Sequence, residues 1–152
     1  MLMLLFRLGN SRYAIPVADV VGVAPRVELE TLPHAPDYVA GLFSYRGRHA
    51  PVIDLCQLTH RRRCVDSFTT RIVMVDFPLR DGNKCTLGLL AEQVTETVEL
   101  APDDFSSTGL RIEDTPWLDQ AAHTAEGLVQ QISVAALLPE EVQMQLFPAG
   151  DT

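Results

Sequence analysis

The stretch from Gly41 to Leu58, GLFSYRGRHAPVIDLCQL, constrains the fold more than any other. Leu42, Phe43 and Tyr45 give a first strand its apolar and aromatic content, and Arg46-Gly47-Arg48 supplies a turn in which Gly47 is free to take a positive φ. Pro51, Val52 and Ile53 form a short buried run, with Pro51 at the start of a strand, where its missing N–H is tolerated. Asp54 is placed to cap a turn of helix that buries Leu55, Cys56 and Leu58. Arg46 is a single guanidinium held at a rigid turn, suited to docking on a carboxylate or on backbone carbonyls.

The flanking segments read as short strands with Gly and Pro punctuation. Leu2 to Leu8 and Tyr13 to Ile15 make a hairpin around Gly9-Asn10-Ser11. A brief helical turn over Pro16 to Asp19 precedes a strand from Val20 to Ala24. Pro25, Pro33 and Pro36 mark an irregular connection to strands Tyr38 to Tyr45 and His49 to Ile53. Thr59 to Thr69 is polar and basic and is expected to be a loop between halves. Strands follow at Arg71 to Phe77, Cys85 to Ala91 and Val94 to Leu100, the first two joined by the turn Asp81-Gly82-Asn83. Ala101 to Glu126 is expected to be loop-rich, Leu128 to Val134 the last strand, Val134 to Leu138 a helical turn and Pro139 to Phe147 a terminal helix.

Two segments of the first half echo in the second. Ala14-Ile15-x-Val17-x-x-Val20 is similar to Gly88-Leu89-x-Ala91-x-x-Val94, and Val52-Ile53-Asp54-Leu55-x-x-Leu58 to Gln131-Ile132-Ser133-Val134-x-x-Leu137. Each echo leads a strand into a helical turn, which suggests two small barrels of similar build. Strand count and alternation alone leave a sandwich equally open.

The 152 residues suffice for one ordinary domain or two small halves sharing a core. A net charge of −8 argues against nucleic-acid binding, because phosphates would repel the chain. No apolar run approaches spanning length, and Met1 to Phe6 is too short for a signal-peptide core, so a cytoplasmic location is expected. Three cysteines in no tight pattern fit reduced thiols there.

No constellation points to catalysis. His34, His49, His60 and His123 sit in no nucleophile or metal frame, Ser44 lacks a G-x-S-x-G setting, and Asp103-Asp104 and Glu113-Asp114 are adjacent acids of the solvated kind. Cys56-x-x-x-His60-x-x-x-Cys64 is the one spacing with metal character: on a continuous helix the three share a face, with His49, Cys85 or a carboxylate as fourth ligand. That helix would run through Arg61-Arg62-Arg63, whose charge opposes a cation, and Cys56 is explained as a small core residue, so neither a metal nor a cofactor is expected. The arginine run itself is expected to be a solvated loop rather than a docking patch. Trp117 is expected to be a partly buried loop anchor, and the valines at 17, 20 and 23, on composition alone, are core.

The run Gly41-Leu42-x-x-x-Arg46-Gly47 followed by Pro51-Val52-Ile53-Asp54-Leu55 resembles the signature of the CheW family, the coupling proteins of bacterial chemosensory arrays, and the likeness covers nearly the whole chain. It implies an all-β fold of two five-stranded, SH3-like barrels sharing a hydrophobic core, with short helical turns and a C-terminal helix. The domain would be residues 1–147, in halves of about 1–68 and 69–147 open to strand exchange, and 148–152 a tail. It also implies a non-enzymatic adaptor that couples chemoreceptor (methyl-accepting protein) tips to the regulatory domain of a CheA-type histidine kinase. Other CheW-like subunits would be further partners, and the chain would insert in no membrane. A small ligand-binding or other protein-interaction module using the same groove is the alternative. Carried over position by position, the receptor-binding groove falls on Leu4, Val17, Val20, Val23 and Val94, with Thr95 beside them, and Arg46 and Gly47 fall on the family's interface turn. Pro33, Tyr38, Val39 and Gly41 match an approach segment of structural role.

Several positions depart from the family pattern. Ser44-Tyr45 stands for Asn-Leu before the Arg-Gly pair, Gly22 for a residue that often carries charge, Ala91-Glu92 for Val-Asp, Ser133 for an Asp, and Trp117-Leu118-Asp119-Gln120 for an aromatic-Ile-Thr-Gly segment. The departures suggest an accessory array, of the surface-sensing Wsp type or pilus-linked.

Overall fold

The computed structural model describes residues 1–79, 81–107, 115–118 and 120–148. The chain opens with the hairpin of β1 (Leu2–Leu8) and β2 (Ser11–Pro16), then a 3-10 turn at Val17–Asp19 and β3 (Val20–Pro25). A second hairpin, β4 (Val39–Tyr45) and β5 (Arg48–Asp54), runs into α1 (Leu55–His60). Strands β6 (Arg71–Pro78) and β7 (Lys84–Glu99) follow, then β8 (Phe105–Ser107), β9 (Gln120–Thr124), β10 (Gly127–Gln131), a 3-10 turn at Val134–Ala136 and α2 (Glu140–Leu146).

Strand β7 belongs to both barrels. Its first half pairs with β6 antiparallel and with β5 parallel; β4 extends β5 and β3 extends β6, giving the five-stranded order β4-β5-β7-β6-β3. Its second half, from Glu92 to Glu99, pairs with β1, and the order β7-β1-β2-β10-β9-β8 completes the second barrel. Gln93, at the changeover, takes φ 48°, and the β1 register shifts there between Leu5 and Arg7. A bulge of this kind bends a strand and raises its twist, which lets one strand leave one sheet and enter another. The Cys85–Ala91 and Val94–Leu100 strands expected separately are therefore one strand.

The echoed segments meet each other. In the first barrel β5 lies parallel to β7 with Val52 opposite Gly88. In the second, β10 lies parallel to β2 with Gln131 opposite Ala14, and the Ile132 N–H donates to the Ala14 carbonyl at 3.0 Å. Val52 echoes Gln131 and Gly88 echoes Ala14, so the two parallel pairings have the same register. Asp54 and Ser133 then stand at equivalent places, each opening a helical turn.

One apolar cluster spans the barrels. Leu4, Phe6, Leu8 and Ile15 contribute from one side; Val52, Ile53, Ile72, Val75 and Leu87 from the other. The alternate residues Met3 and Leu5 point the opposite way, into a smaller cluster with Ala14, Leu100, Ala122 and Val129. Strand β1 is thus buried on both faces, which explains its unbroken apolar sequence. Trp117 is 2 % exposed, a core residue rather than a partly buried anchor, and its carbonyl accepts from the Ser133 N–H at 3.0 Å.

Several expectations need correction. The segment expected to be loop after Ala101 holds β8 and β9; β9 reads Gln-Ala-Ala-His-Thr, without the β-branched run that marks a strand, and forms because β10 pairs along its whole length. Gly109 and the Glu113-Asp114 pair lie outside the described residues, as do Asp119 and most of the tail. The last strand ends at Gln131, not Val134. The basic segment is not simply solvated. Helix α1 runs to His60 and stops where Arg61 turns left-handed at φ 56°. Arg62 then points at Glu92, its Nη1 2.9 Å from Oε2 and its Nη2 3.0 Å from Oε1.

Glu92 is 5 % exposed and gathers three parts of the chain: Arg62, the Val65 N–H at 2.7 Å and the Gly9 N–H at 3.3 Å. The Arg62 hydrogen bonds, helped by those backbone donors, hold its carboxyl down to about 2 against the opposing effect of burial. A carboxylate depressed on folding stabilises fully above its unfolded pKa, and that stability is lost as pH falls through the folded value. Arg62 is half-exposed, so solvent screening brings the contribution to the order of 2 kcal/mol. Glu92→Gln should lower stability at pH 7 by about that amount, and the gap to wild type should close between pH ~4.5 and ~2; urea unfolding across that range measures it.

Candidate functional site: the groove and its arginine turn

The turn between β4 and β5 is a two-residue hairpin loop closed by the Tyr45–Arg48 pair, with Arg46 at φ 51° and Gly47 at φ 79°. Two successive positive φ values make a type I′ turn, whose twist matches that of the flanking strands. Gly47 enters that region freely, whereas Arg46 does so at a cost of about 1 kcal/mol, so the turn holds an arginine where a glycine or asparagine would be easier. The guanidinium carbon lies 5.1 Å from the centroid of the Tyr45 ring, within cation–π range. Among the described residues Arg46 makes no ion pair, so its N–H donors stay available at an exposed turn.

Tyr45 is itself held. Its ring centroid lies 6.1 Å from that of Phe43, two residues back on the same face of β4. Its hydroxyl donates to the Val21 carbonyl at 3.3 Å. Val21 sits at an irregularity in the β3–β6 register, which leaves that carbonyl turned toward Tyr45. The phenol lies directly over Gly22, where an added Cβ would be 2.3 Å from the Tyr45 oxygen. The two departures from the family pattern, Tyr45 and Gly22, are therefore one packing unit, and it bridges the open edge between β3 and β4.

The six positions assigned to the groove do not share one environment. Leu4, at 9 % exposure, and Val94, at 2 %, belong to the shared core, and Val17 and Val20 pack against that core half-buried. All four thus belong to or pack against the one apolar cluster. Val23 is 48 % exposed, further along β3. Thr95 follows Val94 on β7 and is exposed on the other side of the strand, in a small polar recess with Arg7, Arg12, Gln93, Glu96 and Glu126. The backbone around Val94 is fixed by its N–H donating to the Thr69 carbonyl at 2.9 Å and by the Arg71 guanidinium donating to its own carbonyl.

The Cys56, His60, Cys64 face that a continuous helix would present does not form, because α1 ends at His60 and Cys64 lies beyond the Arg61 reversal. Cys64 instead returns over the start of α1 and meets Asp54, while the His60 ring lies against Gly9. In the sequence Cys64 stands out only through the metal-like spacing, and no local rule joins Cys64 to Asp54 or Arg62 to Glu92. The signal for Glu92 was present: it is the one charge inside the apolar run from Leu87 to Val94.

The CheW-like domain family matches residues 2–142. The chemotaxis protein CheW of Klebsiella aerogenes is 28 % identical over 104 residues, covering 64 % of this chain and 63 % of that protein. The chemotaxis protein CheW of Helicobacter pylori is 24 % identical over 109 residues, covering 72 % and 63 %. The chain thus spans just under two thirds of the length of these relatives. Among solved structures, the scaffolding protein TtCheW of Thermoanaerobacter tengcongensis superposes with a TM-score of 0.79 at 22 % identity, covering 93 % of this chain and 89 % of that one. The likeness confirms the architecture of two SH3-like barrels with a C-terminal helix.

Gly22→Ala should displace the Tyr45 phenol rather than unfold β3, because the clashing atom is the end of a side chain. We expect a stability loss of about 1 kcal/mol, the worth of one hydrogen bond. In a Tyr45→Phe background the same change should cost less, and a double-mutant cycle by urea unfolding measures the coupling. Together, the family match over residues 2–142 and the twin-barrel topology place this chain in the CheW-like domain family.

Proposed function

We propose that this chain is a non-enzymatic adaptor, coupling the helical tips of chemoreceptors to a CheA-type histidine kinase within a cytoplasmic chemosensory array. The observation that carries the reading is that Val17 and Val20 lie half-buried against the apolar core to which Leu4 and Val94 belong, in a chain of the CheW-like family. A half-buried aliphatic strip of this kind suits one apolar face of a helix. Val23 and Thr95 would border the contact, and Arg46 would meet its polar edge. A second surface, away from the groove, would serve the kinase and other CheW-like subunits. Modest affinities suffice in an array, where many weak contacts act together. Tyr45 and Gly22 fit a receptor set of its own, as in an accessory array of the Wsp or pilus-linked type. Among the described residues no helix is long and apolar enough to cross a membrane.

The test uses soluble receptor-tip hairpins and kinase regulatory domains cloned from the source cell, measured by calorimetry and by pull-down. Val20→Asp places a charge in the strip and should weaken receptor-tip binding at least tenfold with the fold intact by circular dichroism, leaving kinase binding unchanged. Arg46→Glu should weaken the tip more at low salt than at high salt. Unchanged tip binding by a folded Val20→Asp chain would remove the groove assignment, and failure of wild type to bind any tip or kinase would remove the adaptor reading.

A further inference from the structure

Asp54, Cys56 and Cys64 converge in the first barrel, with one carboxylate oxygen and two sulfurs all within 4.8 Å of one another. All three residues are buried, at 5 %, 0 % and 7 % exposure. We propose that they form a binding site for a thiophilic divalent d10 ion, zinc in the cell.

The local fold builds the site. Asp54 ends β5 and caps α1, its Oδ1 accepting from the Gln57 N–H at 3.1 Å. Cys56 follows in the first turn of α1, facing the core. The left-handed Arg61 then reverses the chain, so that Cys64 comes back over Asp54. The Cys64 N–H donates to Oδ2 at 3.1 Å and its thiol to Oδ1 at 3.2 Å. His60, the middle of the regular cysteine–histidine spacing, is turned toward Gly9 and takes no part.

The chemistry of this donor set favours a soft or borderline ion. Two sulfurs discriminate against magnesium and calcium, which prefer oxygen alone. Around a tetrahedral zinc, with bonds of about 2.0–2.3 Å, neighbouring donors lie roughly 3.3–3.8 Å apart. A contraction of at most about 1–1.5 Å brings this cluster to that spacing. The Leu90 carbonyl, 3.4 Å from the Cys64 sulfur, is at hand for a fourth position. Among the described residues no cation pairs with Asp54, so its carboxylate sits in the barrel with only neutral donors around it.

Charge balance supports the exchange. In the empty site the Cys64 thiol keeps its proton, which it donates to Asp54 Oδ1 at 3.2 Å. Binding breaks two S–H bonds, forms two metal–sulfur bonds and sends two protons to solvent, with no change of oxidation state. Two positive charges replace two, and the net charge of the cluster is conserved, which a low-dielectric site requires.

The full chain, reduced and stripped with chelator, is titrated with Cd2+ and with Zn2+. We expect one ion per chain, a sulfur-to-cadmium charge-transfer band in the ultraviolet, two protons released per ion in weak buffer, and a higher Tm. The Cys56→Ser/Cys64→Ser chain should lose the band and Cys85→Ser should keep it. No band in wild type overturns the proposal whether or not the double variant folds, and so does a full-strength band in the double variant. The outcome is independent of receptor or kinase binding, so the adaptor reading stands or falls separately.

Discussion

A buried carboxylate at the point where β7 passes from one barrel to the other holds the two barrels in register. Glu92 is opposite Arg7 of β1, receives the N–H of Gly9 from the first hairpin and of Val65 from the connection after α1, and is paired with Arg62. Leaving the carboxylate's buried donors unmet would cost free energy, so these contacts support one another. One residue later the positive φ of Gln93 bends the strand into its second sheet. The bulge without the carboxylate would be a loose hinge; the carboxylate without the bulge would have no changeover to pin.

Around that junction the architecture repeats. Each barrel contains one parallel pair, β5 with β7 and β10 with β2, in the same register, and each pair delivers its chain to a helical turn opened by a small polar residue. The likeness stops where the cap chemistry differs. Asp54 caps its helix with a side-chain bond and α1 runs for six residues, whereas Ser133 makes no such bond and the turn after it has three. The stronger cap goes with the longer helix, as N-terminal capping energetics require.

Much of this was legible in the residues. The hairpin around Arg46-Gly47, the cap at Asp54 and the repeated segments rest on short-range rules of turn chemistry, capping and apolar alternation, and they appear where those rules put them. The arginine at a second positive φ was not legible, because only the I′ geometry demands it. Strand β9 was missed because its alanines carry no strand preference and its stability comes from partners on both edges, β10 and β8. Arg62 and Glu92 are thirty residues apart, and no local rule joins them. The metal-like spacing of Cys56, His60 and Cys64 needs a continuous helix, which the polar, basic run from Thr59 already argued against, and the left-handed Arg61 ends α1 at His60.

The proposed groove and the barrel junction are not independent. Val94, on the groove floor, is two residues from Glu92 on one strand, and the Val94 N–H is held by Thr69, which ends the same connection that Glu92 anchors through Val65. A change that loosens Glu92 loosens that connection, and with it the backbone that fixes Val94 in the core. The opposite rim, Tyr45 and Arg46, is fixed by different means, through an aromatic ring seated on Gly22 and bonded to Val21. The floor is therefore coupled to the joint between the barrels, while the rim answers only to the edge of one. Substitution at Tyr45 or Gly22 then changes that rim without disturbing the packing that gives the domain its shape.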